Sequence, residues 1–481
     1  MPGATDRPAG AAETGQEKNM VRIFRHYVPG SLLFLGMVEH LFLILTIYCA
    51  LFFRWADITD LTASLAQHLP RVITFATVFT VTMFALGLYN KEYIRDLSTI
   101  LTRLLFSFFF AFIVLALLFY IYPDLAIWRS AIAIAIVVAL LGVMIIRWIF
   151  LHAADVDTFK RRILVLGVGA KAAKIEALER DDQTRSFICV GFVPLSDREA
   201  QIDGSHNIWG NMSLPELVAE QNVEEIVVAI DERRGGMPTK ALLECKLQGV
   251  TVTDYSLFWE RETGKMDLDA LHPSWLIFSD GFVGGWVQAT FKRVFDIVAS
   301  LLLLAAAAPI IALTALVVKL GSNGPVLYRQ ERVGLNGQPF MLLKFRSMRT
   351  DAEKDGVPRW AAVNDSRVTG VGAFLRKTRI DEIPQIFNVL RGEMSFIGPR
   401  PERPFFVDEL RQAIPYYFER HRVKPGISGW AQLNYPYGAS VEDAKEKFQY
   451  DLYYIKNYSL FLDLIVLIQT ARVVLWPSGV R

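Results

Sequence analysis

Four apolar stretches near the start of the chain limit its fold more than any other feature. They run from about Ser31 to Phe53, Val72 to Tyr89, Leu104 to Tyr122 and Ile127 to Phe150. Each approaches the roughly 20 residues a helix needs to span a bilayer. Spanning segments of this kind are helical because lipid offers backbone groups no partners. Buried core helices are the plain alternative, and four such runs in succession argue against it. Composition agrees: 52% of the 481 residues are hydrophobic, and mean hydropathy is +0.30.

The flanks of these runs predict an orientation. Lys18, Arg22 and Arg25 precede the first, Lys91, Arg95 and Arg103 separate the second and third, and Arg147, Lys160, Arg161 and Arg162 follow the fourth. In the other two loops Arg54 and Arg71 stand against Asp57 and Asp60, and Arg129 against Asp124. The chain beyond Phe150 therefore starts in the cytoplasm. A net charge of +2 gives no reason to expect a nucleic acid partner. Cys49, Cys189 and Cys245 have no metal-ligand or CxxC spacing, and the seven histidines are scattered, which argues against a zinc site. Residues 1–20 are rich in Gly, Ala and charge and read as a disordered tail without the apolar core of a signal peptide.

After the runs the pattern changes. ILVLG (163–167), FICVGFV (187–193), EIVVAI (225–230) and VTVTD (250–254) read as short buried strands. Helical patterns near 170–179, 214–221 and 239–247 separate them. That alternation predicts a Rossmann-like parallel α/β domain over 160–283. Gly167-Val168-Gly169-Ala170-Lys171-Ala172 has the form G-x-G-x-x-A in the position of a dinucleotide fingerprint. No acid stands at the tip of the second strand to hold a ribose, so a nucleotide-free regulatory or dimerising domain is the plainer reading. A homodimer through this domain is the corresponding expectation.

A fifth apolar run, Val294 to Val318, is long enough to span. However, Lys292 and Arg293 before it and Lys319 after it give both ends the inside signal. Pro309 removes a backbone hydrogen bond past its middle. A re-entrant hairpin over 292–319 satisfies both facts, with Asp296 at the membrane interface; a kinked full crossing is the alternative.

The stretch Arg376 to Pro404 carries the candidate chemistry. Asp381 and Glu382 form an adjacent carboxylate pair behind Arg376, Lys377 and Arg379, and a Gly-Pro turn then presents Arg400. Carboxylates among fixed cations suit phosphoryl chemistry, because a metal binds the carboxylates while arginines hold phosphate oxygens. A surface helix with solvated charges is the bland reading of any single such pair.

Its neighbours decide between the two. KRVFD (292–296), Pro309, KFRSM (344–348), DSRVTGVG (365–372), RIDEIPQIFNVLRGEMSFIGPRP (379–401) and KPGISGWAQ (424–432) follow one another in this order. Over about 190 residues from Phe291, this set resembles the catalytic domain (290–481) of bacterial sugar transferases, the monotopic phosphoglycosyl transferases. The whole chain looks like their large form: four membrane helices over 21–153, a Rossmann-like domain, then the transferase. The segment 264–282 also resembles the exopolysaccharide branch. Many members carry Ser before the hairpin proline, where this chain has Ala308, so Pro309 must bend the helix alone.

The resemblance implies a membrane α plus α/β protein of the bacterial inner membrane, with its catalytic domain on the cytoplasmic face. It implies a UDP-sugar donor, undecaprenyl phosphate as acceptor and Mg²⁺ as cofactor. Asp381 would be the nucleophile that forms a phosphosugar intermediate, and Glu382 would help hold Mg²⁺ or place the attacking phosphate. Arg400 matches the family's phosphate-contacting arginine. Lys344, Arg346 and Arg376 are candidates for substrate phosphates, and Asp365 and Arg367 either join the site or form a structural pair. Tyr450, Tyr453, Tyr454, Tyr458 and Trp476 are read as either an interfacial belt or a core helix. Two other classes remain. One is a membrane-bound NAD(P)-dependent sugar-nucleotide epimerase or dehydratase, which would need a Tyr-x-x-x-Lys pair that the middle domain lacks. The other is a non-catalytic scaffold for polysaccharide assembly.

Overall fold

A computed structural model describes residues 20–23, 26–54, 61–89, 97–153, 160–180, 186–195, 212–231, 237–271, 281–282, 285–321, 324–349, 367–436, 438 and 440–475. The expectations for residues 1–19, for Asp365 and for Trp476, and residues 272–280 of the segment 264–282, lie outside them.

The four apolar runs form helices α1 (Gly30–Arg54), α2 (Leu61–Ala85), α3 (Leu97–Ile121) and α4 (Arg129–Ala153). Helix α2 starts well before its apolar run, because the mixed segment from Leu61 continues the helix through Pro70. Together with Trp286–Gly321, five helices among the described residues are long and apolar enough to cross a membrane. Phe109, Leu117 and Leu141 are each more than half exposed, an arrangement that suits lipid and not water. Several flank cations are buried: Arg103 donates to the Leu86 carbonyl at 2.8 Å, and Arg147 pairs with Glu39 at 2.7 Å. Pairing is how a charge is tolerated among apolar helices.

The chain divides into two compact units, one containing Tyr27–Glu39 and Gly142–Glu262, the other His40–Leu141 and Thr263–Arg481. In the first, strands β1 (Arg161–Leu166), β2 (Phe187–Val193), β3 (Glu225–Val228) and β4 (Thr251–Asp254) form a sheet in the order β2-β1-β3-β4. Every pairing is parallel, and helices α5 (Ala170–Arg180), α6 (Leu214–Glu220) and α7 (Thr239–Leu247) connect the strands. The alternating pattern predicted this architecture because both sheet faces are buried, which leaves continuous apolar strands.

At the fingerprint turn Gly167 has φ +122°, and a Cβ there would lie 2.5 Å from the Ala229 carbonyl oxygen. The donors at the start of α5 are already engaged. Asp231, just past β3, accepts from the amides of Ala170 at 2.7 Å and Lys171 at 3.4 Å. A carboxylate of the chain itself therefore sits where a helix N-terminus would receive a phosphate. The sequence reading sought an acid after the second strand and missed this one after the third.

In the second unit, Thr263 onward packs with the C-terminal fold: Trp430 donates to the Gly264 carbonyl at 2.8 Å, and Lys265 pairs with Glu446 at 2.7 Å. The segment that the sequence reading attached to the middle domain up to residue 283 thus begins this unit. Helix α8 (Trp286–Gly321) leads to an antiparallel hairpin of β5 (Leu327–Val333) and β6 (Pro339–Phe345). Next come α9 (Gly370–Lys377), the 3-10 turn Ile380–Glu382, α10 (Gln385–Arg391) and β7 (Ser395–Ile397). Helix α11 (Pro404–Ala413) and the 3-10 turn Tyr417–Arg422 precede β8 (Gly426–Ser428), which pairs parallel with β7. Helices α12 (Trp430–Asn434), α13 (Val441–Lys456) and α14 (Leu460–Leu475) complete the unit.

Val389, Met394, Ile397, Phe406, Phe448 and Leu452 form its core, and Phe84 of α2 packs against it. Tyr453 and Tyr454 belong to this core too, each 1% exposed. Of the two readings, the core helix holds at these positions. The Tyr454 hydroxyl is satisfied inside the protein, donating to Asp463 at 2.6 Å and to the Ile397 carbonyl at 3.1 Å, and needs no headgroup.

Both ends of α8 dock on this one fold. Near its start, Lys292 pairs with Asp463 at 2.5 Å, and Arg293 donates to the carbonyls of Val389 at 2.6 Å and Leu390 at 2.7 Å. Those carbonyls close the C-terminal end of α10, where a cation is favoured. Near its other end, Val318 packs on Phe345 and Leu375. Between the docked ends, Leu301, Leu302 and Leu313 are exposed. Asp296 is buried, and its carboxylate accepts from the Ser395 hydroxyl at 2.9 Å and the Phe396 amide at 3.2 Å. These protein donors offset the cost of burying it.

Candidate active site

The carboxylate pair owes its position to local chain chemistry. Thr369 caps α9 by accepting from the Gly372 amide, a standard use of threonine at a helix start. After α9, Arg379 adopts φ +58°, which is uncommon for a residue with a Cβ and is typical of strained functional sites. The tight turn it opens carries Asp381 and Glu382. Pro384 follows at the entry of α10, where a missing N–H costs nothing. Both carboxylates are largely buried, at 7% and 8% exposure.

Their surroundings differ sharply. Glu382 Oε1 accepts from Lys344 Nζ of β6 at 2.9 Å and from Arg400 Nη2 at 2.9 Å, with Arg379 Nη1 at 3.8 Å. Burial opposes its ionisation, but Arg400, Lys344 and Arg379 together hold it well below the usual carboxylate range. Asp381 has no hydrogen-bond or ion-pair partner among the described residues. Burial pushes its carboxyl up, aided by the Glu382 charge and opposed by Lys344, Arg379 and Arg376. Burial also pulls the Lys344 ammonium down, against the attraction of Glu382. The result is one clamped anion beside one unpartnered carboxylate.

Arg400 is aimed by a pressed junction of two loops. Gly398 donates to the Ser428 carbonyl and Gly426 to the Pro399 carbonyl, both at 2.9 Å. A Cβ on Gly398 would lie 2.3 Å from the Lys424 carbonyl oxygen, and one on Gly426 would lie 2.1 Å from the Gly398 nitrogen. Only glycine permits that approach, which explains the glycines of the GPRP and KPG segments.

The other sequence candidates fall at varied distances from the dyad. Arg376 acts on Asp381 through its charge. Arg346 is buried and donates to the Val318 carbonyl of α8 at 3.4 Å. The Arg367 carbonyl accepts from the Arg349 amide at 3.0 Å, which ties that segment to the end of β6.

Asn388 is a site residue that the sequence reading missed. It is fully buried and bonds three ways: its Oδ1 accepts from the Leu343 amide at 3.0 Å, and its Nδ2 donates to the Met341 carbonyl at 2.8 Å and to Glu393 at 2.7 Å. It thus locks the strand that delivers Lys344 to the helix that follows the dyad. The only signal was one amide inside the apolar run IFNVL. Asn388→Ala is expected to lower the unfolding free energy by about 1–3 kcal/mol by orphaning those groups. Denaturant unfolding of the purified protein measures this, and an unchanged midpoint would contradict it.

Residues 287–477 match the family described as bacterial sugar transferase, and residues 84–253 match one described as CoA-binding domain. The chain is 38% identical over 289 residues to a UDP-N-acetylgalactosamine-undecaprenyl-phosphate N-acetylgalactosaminephosphotransferase of Aeromonas hydrophila, covering 60% of this chain and 67% of that one. The chain belongs to the bacterial sugar transferase family. It is 35% identical over 324 residues to an undecaprenyl-phosphate glucose phosphotransferase of Komagataeibacter xylinus, 65% of this chain and 58% of that one. Identity reaches 45% over 186 residues with a UDP-glucose:undecaprenyl-phosphate glucose-1-phosphate transferase of Escherichia coli strain K12, 38% of this chain and 40% of that one. The chain thus spans between two fifths and two thirds of these relatives' lengths. The first two alignments are longer than the transferase segment itself, as the large form of the family requires.

In this bacterial sugar transferase the donor set suits Mg²⁺. The three cations converge on Oε1 of Glu382, and among the described residues its Oε2 and both Asp381 oxygens have no such partners. No cluster of three or more His, Cys, Asp or Glu side chains occurs among the described residues. Mg²⁺ typically uses one or two carboxylates, completed by phosphate oxygens and water.

Proposed function

We propose that the chain transfers a sugar 1-phosphate from a UDP-sugar to undecaprenyl phosphate, the first membrane step of exopolysaccharide assembly. The observation that carries this reading is the asymmetry of the dyad. An unpartnered carboxylate whose anion is poorly stabilised makes a competent nucleophile. Beside it, Lys344 and Arg400, already oriented by Glu382, form a preorganised cationic cradle for a diphosphate.

An oxygen of Asp381 attacks the sugar-bearing phosphorus of the donor, and the bond from that phosphorus to the bridging oxygen breaks. UMP leaves with the bridging oxygen and its electron pair. The phosphosugar is now an acyl phosphate on Asp381. An oxygen of undecaprenyl phosphate then attacks the same phosphorus and releases the Asp381 carboxylate. The product is undecaprenyl diphosphate sugar, with the sugar C1–O bond untouched. Mg²⁺, when bound at Asp381 and Glu382 Oε2 with the donor, supplies neutralising charge for the phosphate oxygens.

In this reading α1 to α4 cross the inner membrane and α8 enters from the cytoplasmic face and returns. At 36 residues α8 would extend about 54 Å if straight, well beyond the roughly 30 Å of a hydrocarbon core. Both its ends dock on one fold, as expected for a helix bent at Pro309. The lipid acceptor keeps its phosphate at the interface, so a dipping helix holds the dyad at the required depth.

The test is UMP release by protein in native-lipid particles with Mg²⁺, undecaprenyl phosphate and a panel of UDP-sugars. UMP from one donor, lost on chelation, is the expected result. A well-folded protein that releases UMP from none of them would overturn the donor class.

A further inference from the structure

We propose that Arg420, held by Asp451, is a positioning residue for Arg400. The inference rests on the phosphosugar-transfer reading above. Arg420 lies in the 3-10 turn Tyr417–Arg422 and is 6% exposed. Its Nη2 donates to Asp451 of α13 at 2.8 Å and to the backbone carbonyl of Arg400 at 3.0 Å. Its Nη1 donates to the Tyr417 hydroxyl, and its guanidinium stands 5.0 Å from that ring's centre.

The neighbouring carbonyls of the loop are fixed in the same way. The Pro401 carbonyl accepts from Arg332 Nη1 at 2.9 Å, and the Glu402 carbonyl accepts from the Val333 amide at 2.9 Å. Three consecutive carbonyls are therefore clamped from the protein interior while the Arg400 side chain extends to Glu382. A buried ion pair is a poor way to gain stability, since apolar residues of similar size often serve as well. A guanidinium fork that joins a buried carboxylate to the backbone of a phosphate-binding residue does something apolar residues cannot. It sets where that backbone stands.

The test is a mutant cycle with UMP release as the readout. The background is the paired replacement Arg420→Met with Asp451→Leu, which strands no charge. Its unfolding midpoint is expected to stay near wild type while kcat/KM for the UDP-sugar falls about 10-fold. Arg400→Ala is expected to cost about 100-fold in the otherwise native chain but only about 10-fold in this background, because coupled residues are not additive. The full cost in both backgrounds would overturn the proposal, since a merely structural pair would leave Arg400 its whole effect. If the paired variant does not fold, Arg420→Lys enters the same cycle, keeping the charge but losing the fork. Amide hydrogen exchange over 398–403 gives a second readout, expected to quicken there and not globally; unchanged exchange overturns positioning. If the native chain releases no UMP from any UDP-sugar, the activity reading fails alone and exchange still decides positioning.

Discussion

Asp381→Asn is expected to reduce UMP release by about a thousand-fold or more, because it removes the proposed nucleophile while the proposed phosphate cradle persists. The same change should not destabilise the fold. Burial has raised the Asp381 carboxyl, so its folded pKa exceeds its unfolded one. Ionised Asp381 therefore costs stability, and the cost is relieved as pH falls through the folded pKa. A neutral amide removes that cost, and the Asp381→Asn unfolding midpoint should equal or exceed that of the native chain. Loss of activity with loss of fold would assign Asp381 a structural part instead. The rate has its own pH signature: the nucleophile must be ionised, so the rate declines on the acid side as pH falls through a pKa above the ordinary aspartate value of about 3.9. Arg376 is one of the cations favouring the ionised form, so Arg376→Gln should move this acid limb to higher pH. A limb that stays in place would show that Arg376 does not act on the nucleophile.

Arg400→Ala is expected to cost about 100-fold in kcat/KM, the usual effect of deleting one preorganised donor to a developing phosphate charge. The loss has two parts. The donor diphosphate loses a cation, and Glu382 loses the first of the charges that hold its carboxyl down. Arg400→Lys keeps the charge but not the planar fork, and should recover only part of the activity. Full recovery by lysine would show that charge alone matters. Unaltered kinetics with alanine would remove Arg400 from the site.

The sequence displayed the architecture wherever one physical signal dominated. Continuous apolar strands with helices between them allowed only a parallel sheet, and the observed strands begin and end within a few residues of expectation. The dyad, Arg400 and Lys344 were legible because their spacing resembles a known constellation, and the fold brings Lys344 and Arg400 within bonding distance of Glu382. What stayed hidden depended on contacts distant in sequence. Nothing near Asn388 announces that it bonds Leu343 and Met341, and nothing near Arg420 points to Asp451. The tyrosines of α13 looked amphipathic in one dimension, yet Asp463 and the Ile397 carbonyl satisfy Tyr454 from elsewhere in the chain. Nothing near Asp296 in the sequence announces the donors from β7 that hold its carboxylate.

The central claim is that Asp381 carries the phosphosugar between donor and acceptor. The most direct measurement is intact and peptide mass spectrometry of the protein after brief exposure to its UDP-sugar and Mg²⁺, with no undecaprenyl phosphate present. The expected result is a mass gain of one sugar phosphate on the peptide containing Asp381, discharged when the lipid phosphate is added and absent from Asp381→Asn. UMP formation that requires both substrates together, with no adduct under acid quench, would contradict the account and favour direct transfer.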